Sequence, residues 1–125
     1  MVIKVKEHDW RNIFLRDISE KLNESKVEYG KYKQTGKVVY LQQAGNKLFS
    51  VVENWLMVKY NTRVFSYKEL RDIVRENTHD RRLLSKVAQL HYFYYENRMR
   101  GEPSEFEDIY LEIYEKMRGR IKARK

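Results

Sequence analysis

Apolar residues recur every three or four positions along most of this chain, which is the spacing of one face of an α-helix. The clearest stripe lies near the end of the sequence and consists of Phe106, Ile109, Tyr110, Ile113, Tyr114, Met117 and Ile121. Outside the first six residues, no stretch alternates with a period of two, as a half-buried strand would. The pattern therefore predicts an all-α protein, folded as an antiparallel four-to-five-helix bundle.

Gly36 separates the first two predicted helices. We expect the first to begin at Asp9, a residue type suited to the N-cap, and the second to end at Asn61. The apolar arc of the second helix is wide, which predicts neighbours on two sides and a central position. Gly45 lies within this helix, where glycine costs about 1 kcal/mol relative to alanine. Another backbone or a ligand is therefore expected to approach Gly45 closely.

Two capping boxes mark the start of later helices. The pattern Ser-x-x-Glu occurs at 66–69, before a short apolar stripe, and at 104–107, before the last one. Between them, we expect a fourth helix over about 81–99, capped by Thr78 or Asp80.

Length and composition favour one globular domain over residues 1–125, with an N-terminal extension at 1–8 and a basic tail at 116–125. The chain is 42% apolar and 35% charged, which excludes a disordered class. It contains no cysteine, and so no disulfide or thiol nucleophile. No apolar run is long enough for a membrane span or a signal peptide, so we expect a cytoplasmic protein without membrane association.

The net charge of +8 is concentrated at one end of the chain. Residues 116–125 carry six basic side chains and no acid, and removing these six charges leaves +2 for the rest of the sequence. Such a run fits a solvated helix end that complements the helix dipole, a nucleic-acid contact, or a contact with an acidic protein.

His91 is the histidine with the strongest functional interest. Its neighbours at helical spacing include the aromatic rings of Tyr94 and Tyr95, and no carboxylate or arginine. One interpretation is a bundle-lining histidine bonded to another helix, with Glu53 or Gln43 as its partner; the other is a site residue.

Two segments resemble the archaeal PaREP1/PaREP8 family. Segment 90–96 reads LHYFYYE and is similar to the family's LHxxFYE signature, with Tyr94 in place of Phe. Segment 36–49 reads GKVVYLQQAGNKLF and is similar to the family's G-x-x-x-QA-x-EKL-type segment, with Asn46 in place of Glu.

This resemblance implies a HEPN-like helical domain. Several members of that superfamily dimerise and bind or cut RNA, without metal, through an Arg-x(4–6)-His motif at the dimer cleft. Here His91 matches the histidine, whereas Lys86 stands five residues before it in place of arginine. Lysine keeps the charge but lacks the bidentate fork. On a regular helix Lys86 also projects about 140° away from His91, so the resemblance favours binding over cleavage.

We therefore expect a HEPN-like homodimer that binds RNA or a nucleotide, with little or no catalysis and without a metal or cofactor. The residues predicted to meet phosphates are Arg82, Lys86, Arg118, Arg120 and Lys122, and those predicted near His91 are Tyr94, Tyr95, Glu96 and Glu53. One alternative is a metal-independent ribonuclease with His91 as general acid–base. Another is a protein-interaction module, for example the partner of a nucleotidyltransferase.

Two further features allow other interpretations. His8, His79, Asp80 and Asp108 could together form a metal site of the kind found in HD-type phosphohydrolases. The aromatic run at 92–95 could stack bases, although four consecutive side chains cannot all face one groove. Core or subunit-interface packing is the simpler interpretation of this run.

Overall fold

The computed structural model describes residues 7–64, 66–92 and 102–124, and the side chains of 10–64, 66–92 and 102–122. These residues form five helices and no strand: α1 (Glu7–Thr35), α2 (Val38–Lys59), α3 (Tyr67–Ile73), α4 (Thr78–Gln89) and α5 (Pro103–Arg124). The all-α prediction is confirmed.

The α1–α2 turn is built on Gly36, whose φ of 71° is a left-handed conformation that favours glycine. Its N–H donates to the carbonyl of Tyr32 at 2.7 Å and so closes the end of α1. After this short turn the two helices run antiparallel along their whole length. Early residues of α1 meet late residues of α2, as in the bond from Arg11 to the carbonyl of Val58.

Helix α2 lies at the centre, because it packs against each of the other four helices. Its buried residues are Leu41, Ala44, Gly45, Leu48, Phe49, Val51, Val52, Trp55, Leu56 and Val58. The wide apolar arc of this segment therefore predicted its position correctly. Gly45 marks close helix packing, since an added Cβ there would lie 2.5 Å from Cζ of Phe106 on α5.

Three helix starts differ from the sequence prediction, and one agrees with it. Helix α1 begins at Glu7, two residues before the predicted cap Asp9. The Ser66 side chain caps α3 by accepting from the N–H of Glu69 at 3.1 Å, as the capping box predicted. Helix α4 is capped by Asn77, not by Thr78 or Asp80, because the side-chain Oδ1 of Asn77 accepts from the N–H of Asp80 at 3.0 Å.

Helix α5 begins at Pro103, one residue before the predicted cap Ser104. Proline suits a first helical position because the N–H that it lacks would have no partner within the helix. The prediction of a Ser104 cap is therefore wrong for this helix. At the other end, α5 continues to Arg124, so most of the predicted basic tail is helical.

The helical geometry changes at the end of α4. The regular helix stops at Gln89, and residues 90–92 continue it in a wider, π-type turn. Residues 93–99 of the predicted fourth helix, with Tyr94, Tyr95 and Glu96, lie outside the described residues. Among the described helices, none combines the length and the apolar character that a membrane span needs.

Candidate functional site

An open groove runs between α1 and α5, which pack antiparallel. Its volume is about 200 Å³, and its lining residues are Ser19, Leu22, Asn23, Lys26, Tyr114, Arg118, Ile121 and Lys122. Three of these eight side chains are basic and none is acidic. The groove therefore offers a positive rim around an apolar floor that includes one aromatic ring.

Helical spacing places the groove residues of α5. Tyr114, Arg118 and Lys122 follow one another at intervals of four, so they lie on one face of the helix. Lys26 is exposed on the facing side of α1, one turn from Leu22. Antiparallel pairing brings these two faces together and concentrates three cations around one groove.

Arg118 has an intrachain carboxylate partner, Glu115, at 2.9 Å. Both side chains are more than half exposed, at 52% and 59%. An ion pair exposed to this degree contributes little to stability, so loss of the Glu115 contact would cost little free energy.

Tyr114 is the outer ring of a stacked column. Its ring lies 6.0 Å from that of Tyr110 at an interplanar angle of 23°, and Tyr110 lies 5.1 Å from Tyr29 at 22°. Buried Tyr110 hydrogen-bonds Ser25 on α1 at 2.8 Å, and Ser25 donates to the carbonyl of Ala44 on α2 at 2.7 Å. Three helices thus fix the orientation of the column.

Sequence reasoning placed Arg118 and Lys122 among the phosphate contacts, and both line this groove. It missed Ser19, Asn23 and Lys26, and it assigned Tyr114 to the core stripe. Lys26 carries no distinguishing local pattern, since it becomes part of a site only through the pairing of α1 with α5.

Arg82 and Lys86 lie on a different face of the molecule, along α4. The Lys86 ammonium donates to Glu112 on α5 at 2.9 Å, and Lys116 lies 3.5 Å from the same carboxylate oxygen. The hydrogen bond from Lys86 lowers the pKa of Glu112, so this carboxyl stays charged at neutral pH. Lys86 is therefore paired with a carboxylate, each side chain being 43% exposed. Arg82 is exposed one turn away.

Arg120 points away from the groove, toward buried Asp80 at the start of α4. Its guanidinium lies 3.9 Å from one Asp80 oxygen and 4.9 Å from the ring centre of Trp55. The other Asp80 oxygen accepts from Lys59 at 2.7 Å and from the Tyr60 hydroxyl at 2.6 Å. Burial, together with this hydrogen bond, raises the pKa of Tyr60 to about 12. We refer to Lys59, Tyr60, Asp80 and Arg120 as the Asp80 cluster.

The Asp80 cluster argues against the HD-type metal site. The carboxylate of Asp80 is surrounded by two cations and a hydroxyl donor, while His79 and Asp108 are exposed. The side chain of His8 lies outside the described ones. Across the described residues, no group of three or more His, Asp or Glu side chains is placed to hold a metal ion.

His91 lies half-buried in the π-type turn, against α2. Its Nδ1 is 2.5 Å from the side-chain oxygen of Asn46, and its ring stacks on Phe49 with centroids 4.7 Å apart. Asn46 is thus the α2 partner at Nδ1, in place of the predicted Glu53 or Gln43. Tyr67 and Tyr92 complete an aromatic cluster around Phe49.

Glu53 is half-buried on α2, where burial raises its pKa to about 7 against the opposing effect of Lys21. Lys21 belongs to α1, so the charge that acts on Glu53 comes from the α1 side.

Comparison of the chain with protein-family models, curated proteins and solved structures gives no match.

Proposed function

We propose that this chain is a HEPN-like helical domain that acts as a homodimer and binds RNA or nucleotides without cleaving them. The observation that carries the proposal is the α1–α5 groove, with three basic side chains and no acidic one among its lining residues. The HEPN-like and dimeric parts of the proposal rest on the sequence resemblance.

The groove has the charge that a phosphate backbone requires. Lys26, Arg118 and Lys122 are exposed, so they can meet phosphate oxygens without first leaving a buried environment. Arginine can bind a phosphate through two parallel N–H donors, and lysine meets it as a point charge. Release of counterions from the nucleic acid would then drive association and make it salt-dependent.

The surroundings of His91 favour binding over catalysis. His91 contacts Asn46 on α2, whereas Lys86 is paired with Glu112 on α5. The two residues that correspond to the HEPN motif are thus engaged by different helices within one chain. A ribonuclease would need His91 within reach of the reacting groups, with a cation beside it.

Neutralising the groove is expected to weaken RNA binding. In the triple variant Lys26→Gln, Arg118→Gln, Lys122→Gln, affinity for single-stranded RNA should fall at least about tenfold at low salt. The slope of log K against log salt should also become shallower by roughly 2, since each lost contact to a single strand removes about 0.7. Fluorescence anisotropy of a labelled oligonucleotide over a salt series measures both quantities.

The matched control removes the same number of charges elsewhere. Lys68, Arg71 and Arg75 are exposed on or just after α3, and their triple glutamine variant should leave the salt slope nearly unchanged. Equal losses in the two triple variants would mean that net charge, not the groove, binds RNA.

Light scattering on the same samples tests the homodimer against the 15.4 kDa monomer.

A cleavage assay separates this proposal from the ribonuclease alternative. We expect the wild type and His91→Ala to leave labelled single-stranded RNA intact, with and without EDTA. Asn46→Ala is the matched control, because it removes the same hydrogen bond and keeps the imidazole. EDTA-resistant cleavage that His91→Ala abolishes would instead establish a metal-independent ribonuclease.

A further inference from the structure

The tyrosine column and the basic groove meet at one residue, Tyr114. Of the three stacked rings, only Tyr114 is among the lining residues of the groove. Its neighbour Tyr110 is 1% exposed and bonded to Ser25, so the middle ring of the column is fixed. A flat ring entering the groove would therefore meet a platform whose orientation is already set.

The rest of the lining divides into two chemical parts that match the parts of a nucleotide. Leu22 and Ile121 are apolar and line the same groove as Tyr114, while Lys26, Arg118 and Lys122 supply positive charge. Proteins that bind single strands combine aromatic rings, on which bases stack, with a positive path for the backbone. Ser19 and Asn23 add hydrogen-bonding groups on the α1 side.

We propose that the groove takes one nucleotide of single-stranded RNA, with its base stacked on Tyr114 and the neighbouring phosphates on Lys26, Arg118 and Lys122. This inference rests on the proposed RNA-binding function and specifies its ligand. The volume of about 200 Å³ lies below the usual range for small-molecule sites, and the groove contains one aromatic ring, so we assign it one base.

Two consequences follow from stacking. The groove selects single strands over duplexes, because paired bases are already stacked within the helix and cannot reach a protein ring. It also tolerates any base identity, since every base has a π-face.

The test varies both the ligand and the ring. The ligands are a labelled RNA hexamer, the same hexamer with abasic riboses, an RNA hairpin and inorganic polyphosphate. We expect the wild type to bind the hexamer about tenfold or more tightly than the abasic strand or the hairpin. Tyr114→Leu should lose a similar factor for the hexamer and keep its affinity for polyphosphate, whereas Tyr114→Phe should bind like the wild type.

The matched control is Tyr67→Leu, which removes a half-buried tyrosine on α3, outside the groove. Circular dichroism confirms that each variant is folded, and the abasic comparison needs no variant. Equal binding of the hexamer and the abasic strand, or an unchanged affinity in folded Tyr114→Leu, overturns base stacking and leaves phosphate binding intact. Failure of the wild type to bind any of the four ligands overturns the proposed function as well.

Discussion

Gly45→Ala is expected to lower the free energy of unfolding by about 1–3 kcal/mol, the usual effect of overpacking a core. Glycine to alanine inside a helix otherwise stabilises by roughly 1 kcal/mol. Here the added Cβ would lie 2.5 Å from Cζ and 3.2 Å from Cε2 of Phe106, and 3.3 Å from Cβ of Leu90. Both neighbours are fully buried, so neither can move into solvent.

Two other glycines provide the controls for this prediction. Gly30 in α1 and Gly119 in α5 have no atom within 4 Å of an added Cβ, so their alanine variants should gain stability. Urea denaturation followed by circular dichroism gives all three values on one scale. A Gly45→Ala variant that is stabilised like Gly119→Ala would show that α2 and α5 do not pack in this way.

A second substitution tests whether the loss of stability in Gly45→Ala comes from the close contact with Phe106. Phe106→Leu shortens the side chain that meets the new methyl group, so Gly45→Ala should cost less in that background than in the wild type. The double-mutant cycle gives the coupling between the two positions directly, because residues in contact depart from additivity by about 0.5–3 kcal/mol.

Gly45 also illustrates what the sequence could and could not predict. A glycine within an otherwise regular apolar stripe indicates close approach, because its unfavourable helix propensity needs a compensating reason. The close approach is confirmed, but the expectation of a backbone or a ligand is wrong, because the atoms nearest to Gly45 belong to the side chains of Phe106 and Leu90. The identity of the approaching side chain, Phe106, depends on how distant helices pair, and no local pattern contains that information.

The predicted phosphate contacts show the same limit: helical spacing gives the face on which each residue lies, but not the helix that packs against that face. At 100° per residue, Arg120 lies about 200° from Arg118, so helical geometry alone separates it from the face that Arg118 shares with Lys122. The sequence predicts all three residues as parts of one basic tail. The partner of each face is not visible in the sequence: Lys26 of α1 lies on one side, and buried Asp80 on the other.

The start of α3 was predictable because one residue of a suitable type precedes its apolar stripe, whereas several such residues compete at the start of α4. Ser66 caps α3 as its capping box indicated. At α4, however, Asn77, Thr78 and Asp80 are all suitable residue types. Asp80 is unavailable as a cap because its carboxylate is buried with Lys59 and Tyr60, a contact with the end of α2 that sequence does not reveal.

Asp80→Ala is expected to lower the free energy of unfolding by about 2–4 kcal/mol. The carboxylate is 1% exposed, and it accepts hydrogen bonds from Lys59 and Tyr60 at 2.7 and 2.6 Å. Removing one partner of a buried pair costs about 3–5 kcal/mol when the remaining charge stays buried. Lys59 and Arg120 keep 38% and 34% of their side-chain exposure, so part of that loss is recovered by hydration.

The exposed pair of Asp72 and Arg75 supplies the comparison. Its atoms are 3.4 Å apart and its side chains are 50% and 69% exposed, so Asp72→Ala should change stability by less than about 0.5 kcal/mol. Near-equal losses for Asp72→Ala and Asp80→Ala in urea denaturation would contradict a buried carboxylate that ties α2, α4 and α5 together. A selective loss at Asp80 would show that this buried carboxylate, through its hydrogen bonds to Lys59 and Tyr60, holds the start of α4 against the end of α2.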